Sequence, residues 1–382
     1  MKIYDMDKKC YIEVQKIDNA SSKIEQLSDA LYCFENGIFS IIYDKSQPFL
    51  VEYIKSLDQS ILHQEDMQFL YFTSGTTGTP TGVYKKRENS LKQSDALLKT
   101  IKDGKFNRVV TTVPFVHIYG VDIGAIVPMQ LDIDIWVKEN FLPEELAIEA
   151  EKEGTLIVTT PVFIKALNRI KKDVKFSKSL FLTSTSPLPL EDAIEFHKHY
   201  NCSVMQLFAS TETGLMGYRK DNEEILTAYD GVLIGEKDGM LNISSDLVTS
   251  RILSKGVIKN VEQPFQTEDI VEIYKEGKFK LLGRSSNLIK IAGKRISTQQ
   301  IETIIESIDE IDAVLIKVRR DDRALKDEIL DIYVESKINL ESKKLRSLFK
   351  SYFGSINIAY KIHNNIKVTR SSVGKKIGFK EI

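Results

Sequence analysis

Residues 71–86 read YFTSGTTGTPTGVYKK, an apolar pair that runs into a loop of threonine, serine and glycine. Thr73, Ser74, Thr76, Thr77 and Thr79 offer hydroxyl donors. Gly75, Gly78 and Gly82 allow the positive φ with which a backbone can approach an anion closely. On that ground the loop reads as a phosphate cradle. Its spacing excludes a Walker loop, which needs G-x-x-x-x-G-K-[ST] leading into a helix.

Outward from the loop, short β-rich runs alternate with helical patterns. Phe69–Phe72 precedes it; a helix near 88–103, a strand over Arg108–Pro114 and a helix near 118–130 follow. The series goes on through Ile133–Val137, a helix over Pro143–Glu153, Thr155–Thr159, a helix over Pro161–Ile170, Ser179–Thr183, a helix over Pro189–Tyr200, and Ser203–Phe208. This alternation predicts an α/β fold with a parallel sheet flanked by helices, and ligands bind at the carboxyl ends of such strands. From about 225 to 282, turns such as Lys237-Asp238-Gly239 and Lys275-Glu276-Gly277 mark a small β-rich subdomain. After Gly283 the pattern is that of a compact α+β unit: helices over Thr298–Ser307 and near 340–353, strands over Ile311–Val318 and Glu328–Glu335.

A chain of 382 residues exceeds what one core usually serves, so two domains are expected. Lys and Arg total 53 against 54 Asp and Glu, and a net charge of −1 gives no field for nucleic acid. Cys10, Cys33 and Cys202 are widely spaced, which excludes a disulfide framework and fits the reducing cytoplasm. MKIYDMDKKCYIEV at the N-terminus lacks the apolar core of a signal peptide. Val109–Leu131 is long and weakly charged, but Pro114, His117, Asp122 and Pro128 argue for a buried strand, turn and helix, so no membrane span is expected.

Residues 74–82 resemble the phosphate loop of the AMP-forming adenylating enzymes, the superfamily of acyl-CoA synthetases, nonribosomal adenylation domains and luciferases. Further segments match that superfamily in the same order. Val113–Gly120 resembles the motif beside the acyl pocket, where His117 would gate the carboxylate or line the pocket. Phe208-Ala209-Ser210-Thr211-Glu212 resembles the aromatic-Gly-x-Thr-Glu motif: an aromatic face stacks on adenine, Thr211 holds phosphate, and Glu212 presents oxygen to Mg²⁺. Thr267-Glu268-Asp269 resembles Thr-Gly-Asp, whose Asp accepts the ribose hydroxyls, and Gly283-Arg284 the Gly-Arg that opens the hinge, with Arg284 also reaching the nucleotide. Ser286 takes the hinge position. Lys290–Ile296 resembles the loop beside the thiol tunnel, with Ile291, Ala292 and Gly293 at its turn, although alternating charged and apolar residues equally fit a plain strand and turn. Thr369–Lys375 resembles the C-terminal Pro-Arg-Thr-x-x-Gly-Lys, which makes Lys375 the cation delivered to the α-phosphate and substrate carboxylate.

The departures are informative. Thr81 stands where the superfamily's phosphate loop has lysine, so Lys85 or Lys86 would have to reach back, or the site would rely on Mg²⁺. Ser184-Thr185-Ser186-Pro187 replaces a small Gly-Gly-Ala-Pro loop between adenine and acyl group, placing Ser186 by the nucleotide. Asn287, Gln300 and Thr369 are milder changes. Only 72 residues precede Thr73, which implies a reduced first subdomain, with a wider acyl mouth or a partner interface. His197 and His199 point to different faces of one helix and cannot chelate one metal.

The resemblance covers about 69–376. It implies a large adenylation domain over 1–284 and a small mobile C-terminal domain over 285–382. It implies activation of a carboxylic acid by Mg²⁺ and ATP as acyl-adenylate, then transfer to the pantetheine thiol of CoA or an acyl carrier protein. The alternative is a degenerate ATP-binding or partner-binding module of the same fold.

Overall fold

The computed structural model describes the chain except for residues 74–79, 286–287, 292–293, 321–327, 354–358, 372–375 and 382. It divides into two compact units. The first comprises Met1–Gly235, Asn242–Gln266 and Tyr274–Phe279; the second comprises Glu236–Leu241, Thr267–Ile273 and Lys280–Ile382.

The first unit opens with β1 (Ile3–Asp5), β2 (Cys10–Ile12), α1 (Lys23–Glu35), β3 (Ser40–Ile42), α2 (Pro48–Ser56) and α3 (Gln59–Leu62). The loop-bearing hairpin β4 (Phe69–Thr73) and β5 (Thr81–Lys85) follows, then α4 (Arg87–Thr100) and β6 (Arg108–Thr111). The predicted helix near 118–130 is instead a π-helix over Tyr119–Ile126 that passes into α5 (Val127–Leu131). The Val127 N–H reaches back to the Asp122 carbonyl, and Pro128 has no N–H to donate at the junction. Next come β7 (Asp134–Val137), α6 (Pro143–Ala150), β8 (Thr155–Thr159), α7 (Pro161–Ile170), β9 (Leu180–Thr183), α8 (Leu190–Tyr200), β10 (Ser203–Ser210), β11 (Gly214–Lys220) and β12 (Leu226–Ala228).

The alternation delivers the parallel sheet it predicts: β7, β6, β8, β9 and β10 are neighbours and all parallel. The runs of β6 and β8, RVVT and TLIVT, are buried end to end, as central strands covered on both faces must be. One face packs Val110, Ile157, Phe181 and Val204 against Ile164, Leu167, Phe196 and Tyr200 of the helices above. A second cluster joins Leu27, Leu31 and Phe34 of α1, Val121 and Ala125 of the π-helix, and Phe69 and Tyr71 of β4. Strands β3, β4 and β5 lie side by side in a second sheet, with β5 antiparallel to β4 and also paired to Arg251–Ser254.

Further strands are β13 (Leu233–Lys237), β14 (Met240–Ser244), β15 (Arg251–Ser254), β16 (Val257–Asn260), β17 (Phe265–Ile273) and β18 (Lys278–Arg284). The short hairpin of β19 (Leu288–Ile291) and β20 (Lys294–Ser297) precedes α9 (Thr298–Glu306), β21 (Ile311–Arg320), β22 (Glu328–Ser336), α10 (Ser342–Phe353), β23 (Tyr360–His363), β24 (Ile366–Arg370) and β25 (Lys376–Glu381). Ile301, Ile305, Leu345 and Phe349 of the two helices bury Val314, Ile316, Ile332 and Val334 of the three-stranded sheet, giving the second unit its own core. Among the described residues no helix is long and apolar enough to cross a membrane.

Candidate functional site

Three of the predicted site segments leave the carboxyl ends of parallel strands of one sheet: His117 after β6, Ser186 after β9, and Ser210–Glu212 at the end of β10, with β8 between β6 and β9. The fold thus gathers them along one edge of the sheet. Gly120 makes the turn after His117 possible, because a Cβ there would lie 2.1 Å from the Pro114 carbonyl oxygen. Just beyond it the Tyr119 hydroxyl lies 3.0 Å from the Thr159 carbonyl and 2.9 Å from that of Leu182, tying the ends of β8 and β9 together.

Phe208 is half-buried, with its ring 5.8 Å from that of Phe279. Ala209 is exposed, and Ser210, Thr211 and Glu212 are partly so. The Thr213 N–H donates to Ser210 Oγ at 3.1 Å, which closes the turn carrying Thr211 and Glu212. The Glu212 backbone carbonyl accepts from the Thr249 N–H at 2.8 Å, while its carboxylate charge attracts the Lys85 ammonium. One half-exposed carboxylate of this kind fits Mg²⁺, which takes few protein ligands when phosphate oxygens and water fill its octahedron. No cluster of three or more His, Cys, Asp or Glu able to hold a metal by itself occurs among the described residues. His197 and His199 instead face the backbone carbonyls of Cys202 and Lys172, at 3.2 and 3.0 Å.

Thr73, at the end of β4, pairs with Thr81 of β5, and its hydroxyl donates to the Thr81 carbonyl at 3.4 Å. Ser74, Gly75, Thr76, Thr77 and Gly78 lie outside the described residues, as do Ser286, Ala292, Gly293 and Lys375. Ile291 pairs with Lys294, where β19 and β20 run antiparallel.

Lys85 does not reach back to make good the missing lysine. Its side chain is buried, and its ammonium donates to the backbone carbonyls of Leu247 at 2.8 Å and Glu212 at 3.2 Å. Burial pushes its pKa down to about 8 against the opposing pull of Asp122 and Glu212. Asp122, equally buried, accepts from Gln93 Nε2 at 2.7 Å, Ser90 Oγ at 3.1 Å and the Tyr71 hydroxyl at 3.3 Å. Burial raises its pKa to about 7, opposed by Lys85, Ser90 and Tyr71. Because the folded value lies above the ordinary carboxylate value, the folded state holds more protons between the two. Stability therefore falls as pH rises from about 4 to about 7. Asp122→Asn is expected to remove that part of the slope; chemical denaturation across this range checks it, and an unaltered slope would refute it.

In the second unit, Thr267 and Asp269 lie on strand β17 and are buried, not on a surface turn. Thr267 Oγ1 donates to the Leu241 carbonyl at 3.0 Å and accepts the Asp269 N–H at 3.0 Å. Asp269 Oδ1 accepts from Arg284 Nε at 3.1 Å, so the two residues assigned to ribose meet each other. Near the C-terminus, Lys376 is taken up inside the unit: its ammonium donates to Glu302 Oε2 at 2.8 Å, Glu306 Oε1 at 2.6 Å and the Val314 carbonyl at 2.6 Å.

With this geometry in place, the comparison with known proteins is direct: the profile of the family described as AMP-binding enzyme matches residues 6–233. The chain belongs to that family. It is 24% identical over 283 residues to 4-coumarate–CoA ligase-like 8 of Arabidopsis thaliana, a match covering 67% of the chain and 52% of that protein. It is also 24% identical over 283 residues to long-chain-fatty-acid–CoA ligase FadD13 of Mycobacterium tuberculosis H37Rv, covering 66% and 54%. The chain thus spans about half the length of these curated relatives. ATP-bound MatB of Rhodopseudomonas palustris shares its fold with a TM-score of 0.69 at 15% identity, over 81% of this chain and 66% of that one.

The loop after β9 shows what its side chains cost. Thr185 adopts a φ of +77°, a left-handed conformation that a β-branched residue rarely takes. Thr185→Gly is expected to stabilise the protein by about 1 kcal/mol, strain relief outweighing the added freedom of the unfolded chain. A melting temperature at or below that of the unaltered protein would count against it. Gln206 Nε2 donates to the neighbouring Ser186 carbonyl at 3.4 Å, and Ser184 Oγ to that of Leu207 at 2.9 Å.

Proposed function

We propose that this protein activates a carboxylic acid with ATP, releasing pyrophosphate and forming an acyl-adenylate, and then transfers the acyl group to a pantetheine thiol with release of AMP. The observation that carries this reading is the joining of the phosphate-loop strand to the Thr211–Glu212 turn through Lys85, at the sheet edge that also bears His117 and Ser186. The CoA ligase names of its relatives support a thiol acceptor, CoA or a carrier protein. In this scheme Phe208, Ala209 and Ser186 surround adenine, Thr211 and the Thr73–Gly78 loop take phosphate, and Asp269 and Arg284 take ribose. Glu212 would hold Mg²⁺, which when bound neutralises phosphate charge. His117 borders the acid, Lys375 stabilises the charge that develops as the carboxylate attacks phosphorus, and Ile291, Ala292 and Gly293 border the thiol path, with Ser286 as hinge. The three unpaired cysteines fit a reducing compartment such as the cytoplasm.

A second reading, an ATP-binding module without ligase activity, is favoured by Thr81 and by the burial of the Lys85 ammonium. Pyrophosphate release screened across short aliphatic, fatty and aromatic acids separates the two. Acid-dependent pyrophosphate with AMP supports the ligase, and binding of ATP with no turnover on any acid supports the module. Release of ADP would overturn both.

A further inference from the structure

Beneath the turn that carries Thr211 and Glu212 lie two charges that the proposed reaction does not use. Lys85 and Asp122 are each 1% exposed, and burying such groups is costly unless they are well partnered. Their partners converge on one short stretch of backbone. Lys85 holds the Glu212 carbonyl. Gln93, its Nε2 committed to Asp122, turns its Oε1 the other way, where it accepts the Leu215 N–H at 2.8 Å. Gly214 between them has a φ of +72°, and a Cβ there would sit 2.7 Å from that same Oε1, so the backbone lies directly on the amide. The turn is therefore held from below at both ends, by side chains from β5 and α4, with Asp122 fixing the amide of one and attracting the ammonium of the other.

We propose that Lys85, Gln93 and Asp122 are positioning residues that hold the Thr211–Gly214 turn in place for Mg·ATP. The inference rests on the reading of Thr211 and Glu212 as the phosphate and metal groups. It also gives the departure at Thr81 a counterpart: with no lysine on the phosphate loop at that position, the nucleotide depends more on this turn.

The test is calorimetric binding of ATP with Mg²⁺ and with EDTA, alongside thermal unfolding. Lys85→Met combined with Asp122→Asn removes both buried charges together, which avoids stranding either one. The expected result is a fall of about tenfold in the gain in ATP affinity that Mg²⁺ confers, with the melting temperature close to that of the unaltered protein. A folded double variant that keeps the full Mg²⁺-dependent gain overturns the proposal. Should the double variant not fold, Gln93→Met, which leaves both charges in place, decides by the same ratio. Glu212→Gln distinguishes the two layers. If it leaves the Mg²⁺-dependent gain intact, the metal reading of Glu212 is wrong and the inference falls with it. If it abolishes the gain while the bracket variants keep it, only the bracket is wrong.

Discussion

Lys375→Ala is expected to lower adenylate formation by about 10²–10³-fold, the usual cost of losing one preorganised group that meets developing transition-state charge. Thioester formation from supplied acyl-adenylate should persist, since the second half-reaction needs no cation at the α-phosphate. The neighbouring residue sharpens the expectation. Two adjacent lysines close the motif, and the structure commits Lys376 to Glu302, Glu306 and the Val314 carbonyl, which leaves Lys375 as the one to test. Pyrophosphate exchange with an acid found active in the screen measures the first half-reaction, and thiol transfer from a synthetic adenylate the second. Equal loss of both would refute the role of Lys375.

Lys376→Met is expected to destabilise the second unit by about 3–5 kcal/mol, because it leaves two carboxylates without their cation. Besides Lys376, Glu302 Oε1 accepts the Ile316 N–H and Glu306 Oε1 the Val314 N–H, each at 2.8 Å, so α9 also satisfies the outer edge of β21. Burial raises the pKa of Glu302, and the Lys376 ammonium works against that rise. For Lys376 itself burial works downward, but Glu306 and Glu302 hold its pKa above the ordinary value. Urea unfolding followed by far-UV circular dichroism measures the loss. A further Glu302→Gln change in the Lys376→Met background should recover part of it by removing one stranded charge. Unfolding of Lys376→Met at the unaltered midpoint would show that the triad contributes nothing.

The central α/β pattern is legible in the sequence because its signals are local. Thr155–Thr159 and Pro161–Ile170 form over the predicted residues, the first from a run that is β-branched except at Leu156, the second from a proline at its first turn. The π-helix at Tyr119–Ile126 escapes such reading, since its apolar residues suit any buried helix and the wider turn is set by packing. The short strands Ile3–Asp5 and Ser40–Ile42 likewise have no period to detect. At the site, the residues of the 208–212 motif are visible as chemistry, but what holds them is not. Lys85 stands between Tyr84 and Lys86 and reads as a lysine that could reach back to the phosphates, yet its partners are 127 and 162 residues away. Gln93 and Asp122 carry no motif at all. Thr185 could be seen as a departure, and its left-handed backbone could not. Glu302 and Glu306, one helical turn apart, were the available sign of the Lys376 triad.

The pairing of Asp269 with Arg284 bears on how a nucleotide would be admitted. A buried carboxylate without a partner would destabilise the fold; here the Arg284 guanidinium answers Asp269. On the proposed reading, ribose enters by exchange rather than capture. Its hydroxyls must offer Asp269 at least what Arg284 already supplies, and only a vicinal diol presents two donors at once. On that reading the Asp269–Arg284 pair trades affinity for discrimination between ribose and sugars lacking that diol.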